Sequence, residues 1–221
     1  MSSAKLFDLT DRVAVITGGA GLLGIQHALA IHGQGGIPVL ADLDEATAKA
    51  AAQQVGKRAL GIKLDVTNAD SVQQARSRLL DKFEKVHILI NNAARNPKVE
   101  ANGGGAALGR FENIDLRDWE LDLAVGLTGA MLCSRYFGEH MAQSGGGVIL
   151  NIASDLALIG PDQRLYEEPG FPPEQQPKKP ASYSVVKSGL VGLTRYLATY
   201  WADRAVRANA LCPGGVENNT P

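Results

Sequence analysis

The sequence of 221 residues has few cysteines, few aromatic residues, almost no net charge and no long apolar run. Its two cysteines, Cys133 and Cys212, form no metal-binding cluster and favour a reducing compartment. A net charge of −1 argues against a protein that binds nucleic acid through phosphate contacts. We therefore expect neither a metal site nor a nucleic-acid partner.

No apolar run approaches the ~20 residues that span a bilayer. The first residues also lack the charged and then apolar plan of a signal peptide. We therefore expect a cytoplasmic protein that makes no membrane contact. Hydrophobic residues make up 45% of the chain, which is ordinary for a globular protein, and the length suits a single domain over residues 1–221.

Short apolar, β-branched runs alternate with helical stretches along the chain. The pattern predicts strands at residues 13–17, 37–41, 59–64, 86–90, 147–152 and 206–211. It predicts helices at residues 23–33, 44–55, 69–83 after an N-cap at Asn68, 116–142 and 182–202. Because each strand is nearly all apolar, we expect an α/β fold with a doubly wound parallel sheet, the Rossmann fold, covered by helices on both faces.

Ligands of such sheets bind at the carboxyl ends of the strands. The residues at those predicted ends are Thr17, Asp42, Asp65, Asn91, Ser154 and Cys212. Two segments without periodicity also leave these ends, at residues 95–109 and 155–181, and the second carries six prolines. We interpret both segments as substrate lids, with solvated loops as the alternative.

A glycine-rich turn joins the first strand directly to the first helix, a context typical of dinucleotide-binding proteins. Gly18 permits the tight turn, Gly21 lets the backbone approach a pyrophosphate, and Gly24 lets the helix pack against the strand. Leu22 and Leu23 open the helix, whose N–H groups and dipole favour the phosphates. We therefore assign these five residues to cofactor binding.

Asp42, at the end of the second strand, indicates which cofactor is used. A carboxylate at this place accepts hydrogen bonds from a ribose 2′-hydroxyl and repels a 2′-phosphate. No arginine or lysine lies in the glycine turn or immediately after Asp42 to bind such a phosphate. The sequence therefore predicts NAD in preference to NADP.

Tyr183 and Lys187 are spaced so that, on a helix, both side chains lie on one face. A lysine ammonium there, especially beside a positively charged nicotinamide, favours the phenolate form of the tyrosine. Tyr183 is therefore a candidate acid/base that moves a hydroxyl proton while hydride passes to or from a cofactor. Ser154 stands upstream of this pair at a strand end.

With these residues in place, the chain resembles the short-chain dehydrogenase/reductase family over nearly its whole length. The matching stretches are Thr17 to Gly24, Asp65-Val66, Asn91-Asn92-Ala93-Ala94, Asn151 to Ser154, Tyr183 to Lys187, and Pro213-Gly214. The resemblance implies that Tyr183 is the acid/base, that Lys187 binds the nicotinamide ribose and tunes Tyr183, and that Ser154 holds the substrate oxygen. It also implies cofactor contacts from Asp65, Val66, Asn92, Ala93, Tyr183, Lys187, Pro213, Gly214 and Val216.

Within the family, the stretches Ala181 to Tyr196 and Asp162 to Tyr166 look similar to a bacterial subgroup. These are oxidoreductases from surface-polysaccharide and flagellin-glycan clusters, which handle legionaminic-type sugars. This likeness implies a small carbohydrate substrate, either free, phosphorylated or nucleotide-linked. The family resemblance further implies a homo-oligomer, either a dimer or a tetramer.

Four features depart from the family's pattern. Leu22 occupies the middle glycine of the usual short-form spacing, and Gly126 replaces the asparagine of the family's proton relay. The interval from Ser154 to Tyr183 is longer than usual, so the insertion must loop out if the two groups converge. The chain also ends at Pro221, earlier than family members do, so we expect a truncated C-terminus.

Three functions stay open at this point. The first is an NAD(H)-dependent oxidoreductase in which Tyr183 takes the proton of a secondary alcohol and Ser154 steadies the charge on its oxygen. The second is a redox-neutral sugar epimerase or dehydratase that keeps its NAD bound. The third is an NAD-binding scaffold or sensor without turnover, which Gly126 and the early end motivate.

Overall fold

A computed structural model describes residues 6–95 and 109–216 of the protein. Its centre is a six-stranded sheet in which every pairing is parallel. The strands are β1 Val13–Thr17, β2 Ile37–Asp42, β3 Leu60–Lys63, β4 Ile88–Asn91, β5 Gly147–Ile152 and β6 Val206–Leu211. Their order across the sheet is β3-β2-β1-β4-β5-β6. The single doubly wound α/β domain expected from the sequence is confirmed.

The strands are apolar because helices cover both faces of the sheet. All five residues of β1 are buried, so neither face of this central strand meets solvent. On one face the core includes Phe137, Leu79 and Met141, which are fully buried. On the other face Ile16 and Leu40 pack against the helices that follow β1 and β2. Because helices pack on both faces, the sheet rigidly supports the residues at the carboxyl ends of its strands.

Six helices accompany the strands within residues 6–95 and 109–216. They are α1 Leu22–Gly33, α2 Glu45–Val55, α3 Ala69–Phe83, α4 Leu116–Leu123, α5 Gly129–Gln143 and α6 Ala181–Tyr200. Side-chain caps set three of their starts. Asp44 accepts hydrogen bonds from Ala46 and Thr47, Asn68 accepts one from Ser71, and Asp115 accepts one from Arg117, all through backbone N–H groups. The predicted N-cap at Asn68 is therefore confirmed, and the other boundaries lie within a few residues of the predicted ones.

The helix predicted over residues 116–142 is present, but its middle is π-helical. A π-helical turn, Ala124–Thr128, separates α4 from α5. Gly126 lies in this turn against α6, and a Cβ atom at Gly126 would stand only 2.5 Å from Cγ1 of Val186. The π-helical turn accompanies this contact between residues far apart in the sequence. Local periodicity therefore did not predict the turn.

The segment predicted as a lid over residues 155–181 forms three short 3₁₀ turns, Asp155–Ala157, Gln163–Tyr166 and Pro173–Gln175. The other predicted lid, residues 95–109, lies outside the described residues except at its two ends. Within the two described stretches, no helix combines the length and the apolar character needed to cross a bilayer.

Candidate active site

The order of the strands determines where a site can form. Parallel strands bring their carboxyl ends to one edge, and the order of this sheet reverses direction between β1 and β4. In open α/β sheets, ligands bind in the crevice at such a switch point. The residues at the ends of these two strands are Thr17 and Asn91, followed by the glycine turn and by Asn92.

The glycine turn requires glycine because of its backbone conformation and because neighbouring backbone atoms lie close to it. Gly18 has a φ of +59°, and a Cβ at this position would lie 2.9 Å from the Cα of Ala93. A Cβ at Gly24 would lie 2.4 Å from the carbonyl oxygen of Gly18. At Gly21 the nearest such atom is 3.4 Å away, so the turn is open there. Gly18 and Gly24 thus permit a tight turn that lies against the helix start, and the approach of a pyrophosphate at Gly21 stays a prediction.

The start of α1 leaves its N–H groups available to an anion. Gly21 is the N-cap and has no side chain to accept from the first turn, and no acidic residue lies in that turn. Leu22, at the place of the family's middle glycine, is 55% exposed, and Leu23 is half-buried beside it. The open turn and the uncapped helix start fit the pyrophosphate of a dinucleotide.

Hydrogen bonds fasten the glycine turn to the end of β4. Oγ1 of Thr17 accepts from the N–H groups of Asn92 and Ala93, both at 3.0 Å. Nδ2 of Asn92 donates to the carbonyls of Thr17 and Gly18, also at 3.0 Å. Sequence analysis assigned Asn92 and Ala93 to the cofactor, and in the structure their polar groups hold the cofactor turn itself.

Asp42 is positioned beside the same turn. Its Oδ2 accepts from the backbone N–H of Ala20 at 3.1 Å, and its Oδ1 accepts from that of Leu43 at 2.8 Å. Asp42 is half-buried at the end of β2, so its carboxylate faces the turn that would hold a dinucleotide. This is the place from which a carboxylate can reach a ribose hydroxyl.

Asp65 and Val66 lie beyond the end of β3 and make mainly local contacts. Oδ1 of Asp65 accepts from both the backbone N–H and the hydroxyl of Thr67, at 2.9 and 2.7 Å. Val66 is buried, and its Cγ2 would lie 2.7 Å from a Cβ atom on Gly129 of α5. These contacts shape the turn after β3, and the adenine contacts implied for both residues stay a prediction.

Tyr183 and Lys187 line one cavity at the start of α6. Nζ of Lys187 donates to the carbonyl of Ile152 at 2.7 Å and lies 5.6 Å from the centre of the Tyr183 ring. Burial, together with the charge of Lys179, lowers the pKa of Lys187 to about 8. At neutral pH the ammonium form still predominates, so a positive charge is fixed beside the tyrosine.

Ser154 lies at the end of β5 beside the last loop. Its hydroxyl donates to Oδ1 of Asp155 at 2.8 Å and accepts from the N–H of Leu156 at 3.2 Å. The N–H of Asp155 donates to the carbonyl of Pro213 at 3.0 Å, which joins the two strand ends. Ser154 is not among the described residues that line the cavity of Tyr183. The structure therefore groups Ser154 with the Pro213 loop.

The last loop presents its residues at the surface. Gly214 and Val216 are exposed, and a Cβ atom at Gly214 would lie 3.6 Å from Oδ2 of Asp155. The 3₁₀ turn after Ser154 contacts α6, because Oγ of Ser188 donates to the carbonyl of Ala157 at 3.1 Å. These contacts connect the serine strand end to both the last loop and the helix of the tyrosine.

A buried chain of polar groups lies at the ends of β4 and β5, and sequence analysis did not single it out as a network. Nδ2 of Asn91 donates to Oγ of Ser134 at 3.0 Å and to Oδ1 of Asn151 at 2.8 Å. Nδ2 of Asn151 donates in turn to Oγ1 of Thr194 at 2.8 Å. Asparagine inside an otherwise apolar strand was the available signal, since buried amides require partners.

The segment at residues 155–181 adds residues to the cavity that were not predicted from the sequence as catalytic or cofactor-binding, among them Tyr166 and Lys179. Tyr166 lines the cavity, and Nζ of Lys179 lies 3.9 Å from the centre of the Tyr183 ring. Burial raises the pKa of Tyr166, and the nearby Asp155 and Tyr183 act in the same direction. The described part of the predicted lid thus borders the cavity.

The chain is similar to known proteins in both sequence and fold. A family model described as short chain dehydrogenase matches residues 12–166, and one described as Enoyl-(Acyl carrier protein) reductase matches residues 174–220. The crystal structure of gox2181 covers 99% of this chain, with a TM-score of 0.84 and 28% sequence identity. The chain covers 77% of that structure.

Curated relatives include named dehydrogenases. D-threitol dehydrogenase of Mycolicibacterium smegmatis is 32% identical over 94% of this chain and 71% of that protein. NAD-dependent glycerol dehydrogenase of Listeria innocua is 29% identical over 95% of this chain and 72% of that protein. Cis-4-hydroxycyclohexanecarboxylate dehydrogenase of Sinomonas cyclohexanicum is 30% identical over 92% of this chain and 73% of that protein.

The contact between Gly126 and Val186 yields a stability prediction. Gly126→Asn should lower the free energy of unfolding by about 1–3 kcal/mol, because its side chain overpacks against Val186. Val186→Ala should relieve that clash, so Gly126→Asn should cost less in the Val186→Ala background than in the wild type. Urea unfolding of the four proteins measures this coupling.

Gly192 of α6 provides the matched control. A Cβ atom at Gly192 would meet no heavy atom within 4 Å, so Gly192→Asn should leave stability unchanged or raise it slightly. If Gly126→Asn lowered the free energy of unfolding equally in the wild type and in the Val186→Ala background, the contact with Val186 would not be the cause of the destabilisation.

Proposed function

This chain is an oxidoreductase of the short-chain dehydrogenase family, and we propose that it uses NAD(H) to interconvert a secondary alcohol and a ketone. The observation that carries the proposal is the cavity in which Tyr183 and Lys187 lie together at the carboxyl edge of the sheet. The charge of Lys187 is fixed by its bond to Ile152, close to the tyrosine that would exchange the proton.

The chain's own groups suffice for the proton chemistry. Tyr183, as phenolate, takes the proton of the substrate hydroxyl, and the Lys187 ammonium stabilises the negative charge of that phenolate. The Ser154 hydroxyl donates to Asp155 and lies outside the cavity lining of Tyr183, so it must leave Asp155 and face the bound substrate to donate a hydrogen bond to the substrate oxygen. When bound, the nicotinamide cofactor supplies the hydride acceptor for the carbon that carries this oxygen.

Asp42 supports NAD over NADP as the cofactor. Its carboxylate lies against the glycine turn through Ala20, where a 2′-phosphate would meet a like charge. The name of one relative, the NAD-dependent glycerol dehydrogenase, points in the same direction. The open turn at Gly21 and the uncapped start of α1 fit the shared pyrophosphate of either dinucleotide, so the choice depends on Asp42.

A small alcohol is the proposed substrate. The relatives' names mention a polyol, glycerol and a hydroxylated ring acid, all of which carry an alcohol. A free sugar or polyol is compatible with this range. The predicted likeness to legionaminic-type oxidoreductases receives no support from these names, so a nucleotide-linked sugar has no independent argument.

Homo-oligomerisation stays a prediction that one surface supports. Tyr196 and Tyr200 stack on the outer face of α6, with ring centres 5.4 Å apart, and are 60% and 58% exposed. Adjacent exposed aromatic residues are typical of protein interfaces. The cytoplasmic location expected from the sequence likewise stays a prediction.

Removal of the Tyr183 hydroxyl tests the proposal. Tyr183→Phe should lower kcat by at least ~100-fold with every alcohol that the wild type oxidises, because proton transfer by the phenol is lost. The measurement is the absorbance of NADH over a panel of threitol, glycerol, hydroxycyclohexanecarboxylate, free sugars and nucleotide-sugars. NADH formation separates this function from a redox-neutral epimerase or dehydratase.

Tyr196→Phe is the matched control, because Tyr196 lies on the same helix but is exposed outside the cavity. This variant should retain wild-type turnover. If Tyr183→Phe retained it as well, Tyr183 would not be the acid/base. Binding of NAD without turnover of any compound in the panel would instead favour the scaffold.

Neutralisation of Asp42 tests the cofactor preference. Asp42→Asn keeps an oxygen that can accept from Ala20 but removes the charge, so the ratio of kcat/KM for NAD to that for NADP should fall about tenfold or more. Asp44→Asn removes a charge nearby and keeps a good N-cap of α2, so this ratio should not change. An unchanged ratio in Asp42→Asn would contradict the proposed role of Asp42.

A further inference from the structure

Lys179 enters the cavity from a place outside the catalytic helix. It belongs to the segment of residues 155–181, and its Nζ lies over the ring of Tyr183, 3.9 Å from the ring centre. This is closer than Nζ of Lys187, which is 5.6 Å from the same point. A second ammonium therefore stands next to the tyrosine, on the side formed by the insertion.

Two other cations of this cavity have ionic partners, whereas Lys187 forms no ion pair with a described residue and donates to the carbonyl of Ile152. Arg95 pairs with Asp122 at 3.1 Å, and Lys178 approaches Glu167 at 3.8 Å. Lys179 forms no ion pair with any residue in the described stretches 6–95 and 109–216, although it is half-buried. Burial lowers the pKa of Lys179, which reflects the cost of an ammonium held away from water without a counter-charge.

The backbone at Lys179 is held in place. The amide of Gln163 makes two hydrogen bonds to Lys179, accepting from its N–H at 2.8 Å and donating to its carbonyl at 3.3 Å. Pro180 follows and begins the helix that carries Tyr183. The backbone of Lys179 is therefore held by Gln163 and by the start of the helix, which limits the positions that its ammonium can reach.

We propose that Lys179 binds a carboxylate carried by the substrate, so that the protein prefers hydroxy acids to neutral alcohols. The inference rests on the proposed function, because the partner of Lys179 would be part of the molecule whose hydroxyl meets Tyr183. An ammonium can pair with a carboxylate through a short, charge-assisted hydrogen bond. The carboxylate would supply a counter-charge that no residue of the stretches 6–95 and 109–216 gives Lys179.

A binding experiment tests this without turnover. The probes are two matched pairs, 3-hydroxybutyrate with 3-hydroxybutyramide and 4-hydroxycyclohexanecarboxylate with its carboxamide, titrated calorimetrically into the NADH-saturated protein. NADH cannot oxidise these alcohols, so only binding is observed. At least one carboxylate should bind the wild type more tightly than its amide, by about tenfold to a hundredfold, as expected for a charge-assisted hydrogen bond.

Lys179→Gln should abolish this preference by weakening carboxylate binding and leaving amide binding unchanged. Arg164→Gln removes the same charge from the same segment, but Arg164 is exposed and paired with Asp162, so the preference should persist. Equal binding of acids and amides to the wild type, absence of carboxylate binding, or a preference that survives Lys179→Gln would each overturn the proposal.

Kinetic measurements distinguish the carboxylate proposal from the proposed dehydrogenase function. If Lys179 serves only Tyr183, Lys179→Gln lowers kcat equally for acids and neutral alcohols, shifts the pH profile of kcat and overturns the carboxylate proposal. If it binds the carboxylate, the loss is confined to the acids and falls mainly on KM. A protein that oxidises neutral alcohols without any acid preference retains the proposed function and loses this inference.

Discussion

The geometry of the whole site depends on the hydroxyl of Thr17. This oxygen accepts from the backbone of Asn92 and Ala93, and the Asn92 side chain returns hydrogen bonds to the glycine turn. The bonds fix the end of β1 to the end of β4, where the strand order reverses. Since Gly18 already lies against Ala93, the turn has little room to move, and the open place at Gly21 is held in position.

Two kinds of structure meet in the cavity beyond this turn. The helix α6 positions Tyr183 and Lys187 on a buried face, and the bond from Lys187 to Ile152 ties that helix to β5. The segment of residues 155–181 contributes Tyr166 and Lys179 from irregular structure. In the proposed function, proton chemistry would depend on the sheet and the helix, whereas substrate choice would depend on Lys179 of the insertion.

The sequence predicted the features that follow from local rules. Apolar runs located the strands, and Asn68 located a helix start, because these signals depend on neighbouring residues. The π-helical turn was missed because it accompanies the packing of Gly126 against Val186, a contact between distant parts of the chain. The position of Lys179 was not predicted, because nothing in its local sequence indicates that it lies over Tyr183.

The most direct test of the central claim is to follow the hydrogen of the alcohol carbon. The protein would be incubated with NAD and perdeuterated threitol, glycerol or 4-hydroxycyclohexanecarboxylate, and the reduced cofactor would be analysed by mass spectrometry and NMR. We expect one deuterium at the nicotinamide ring, transferred directly from the substrate. Reduced cofactor without deuterium, or no reduction with any of these alcohols, would contradict hydride transfer at this site.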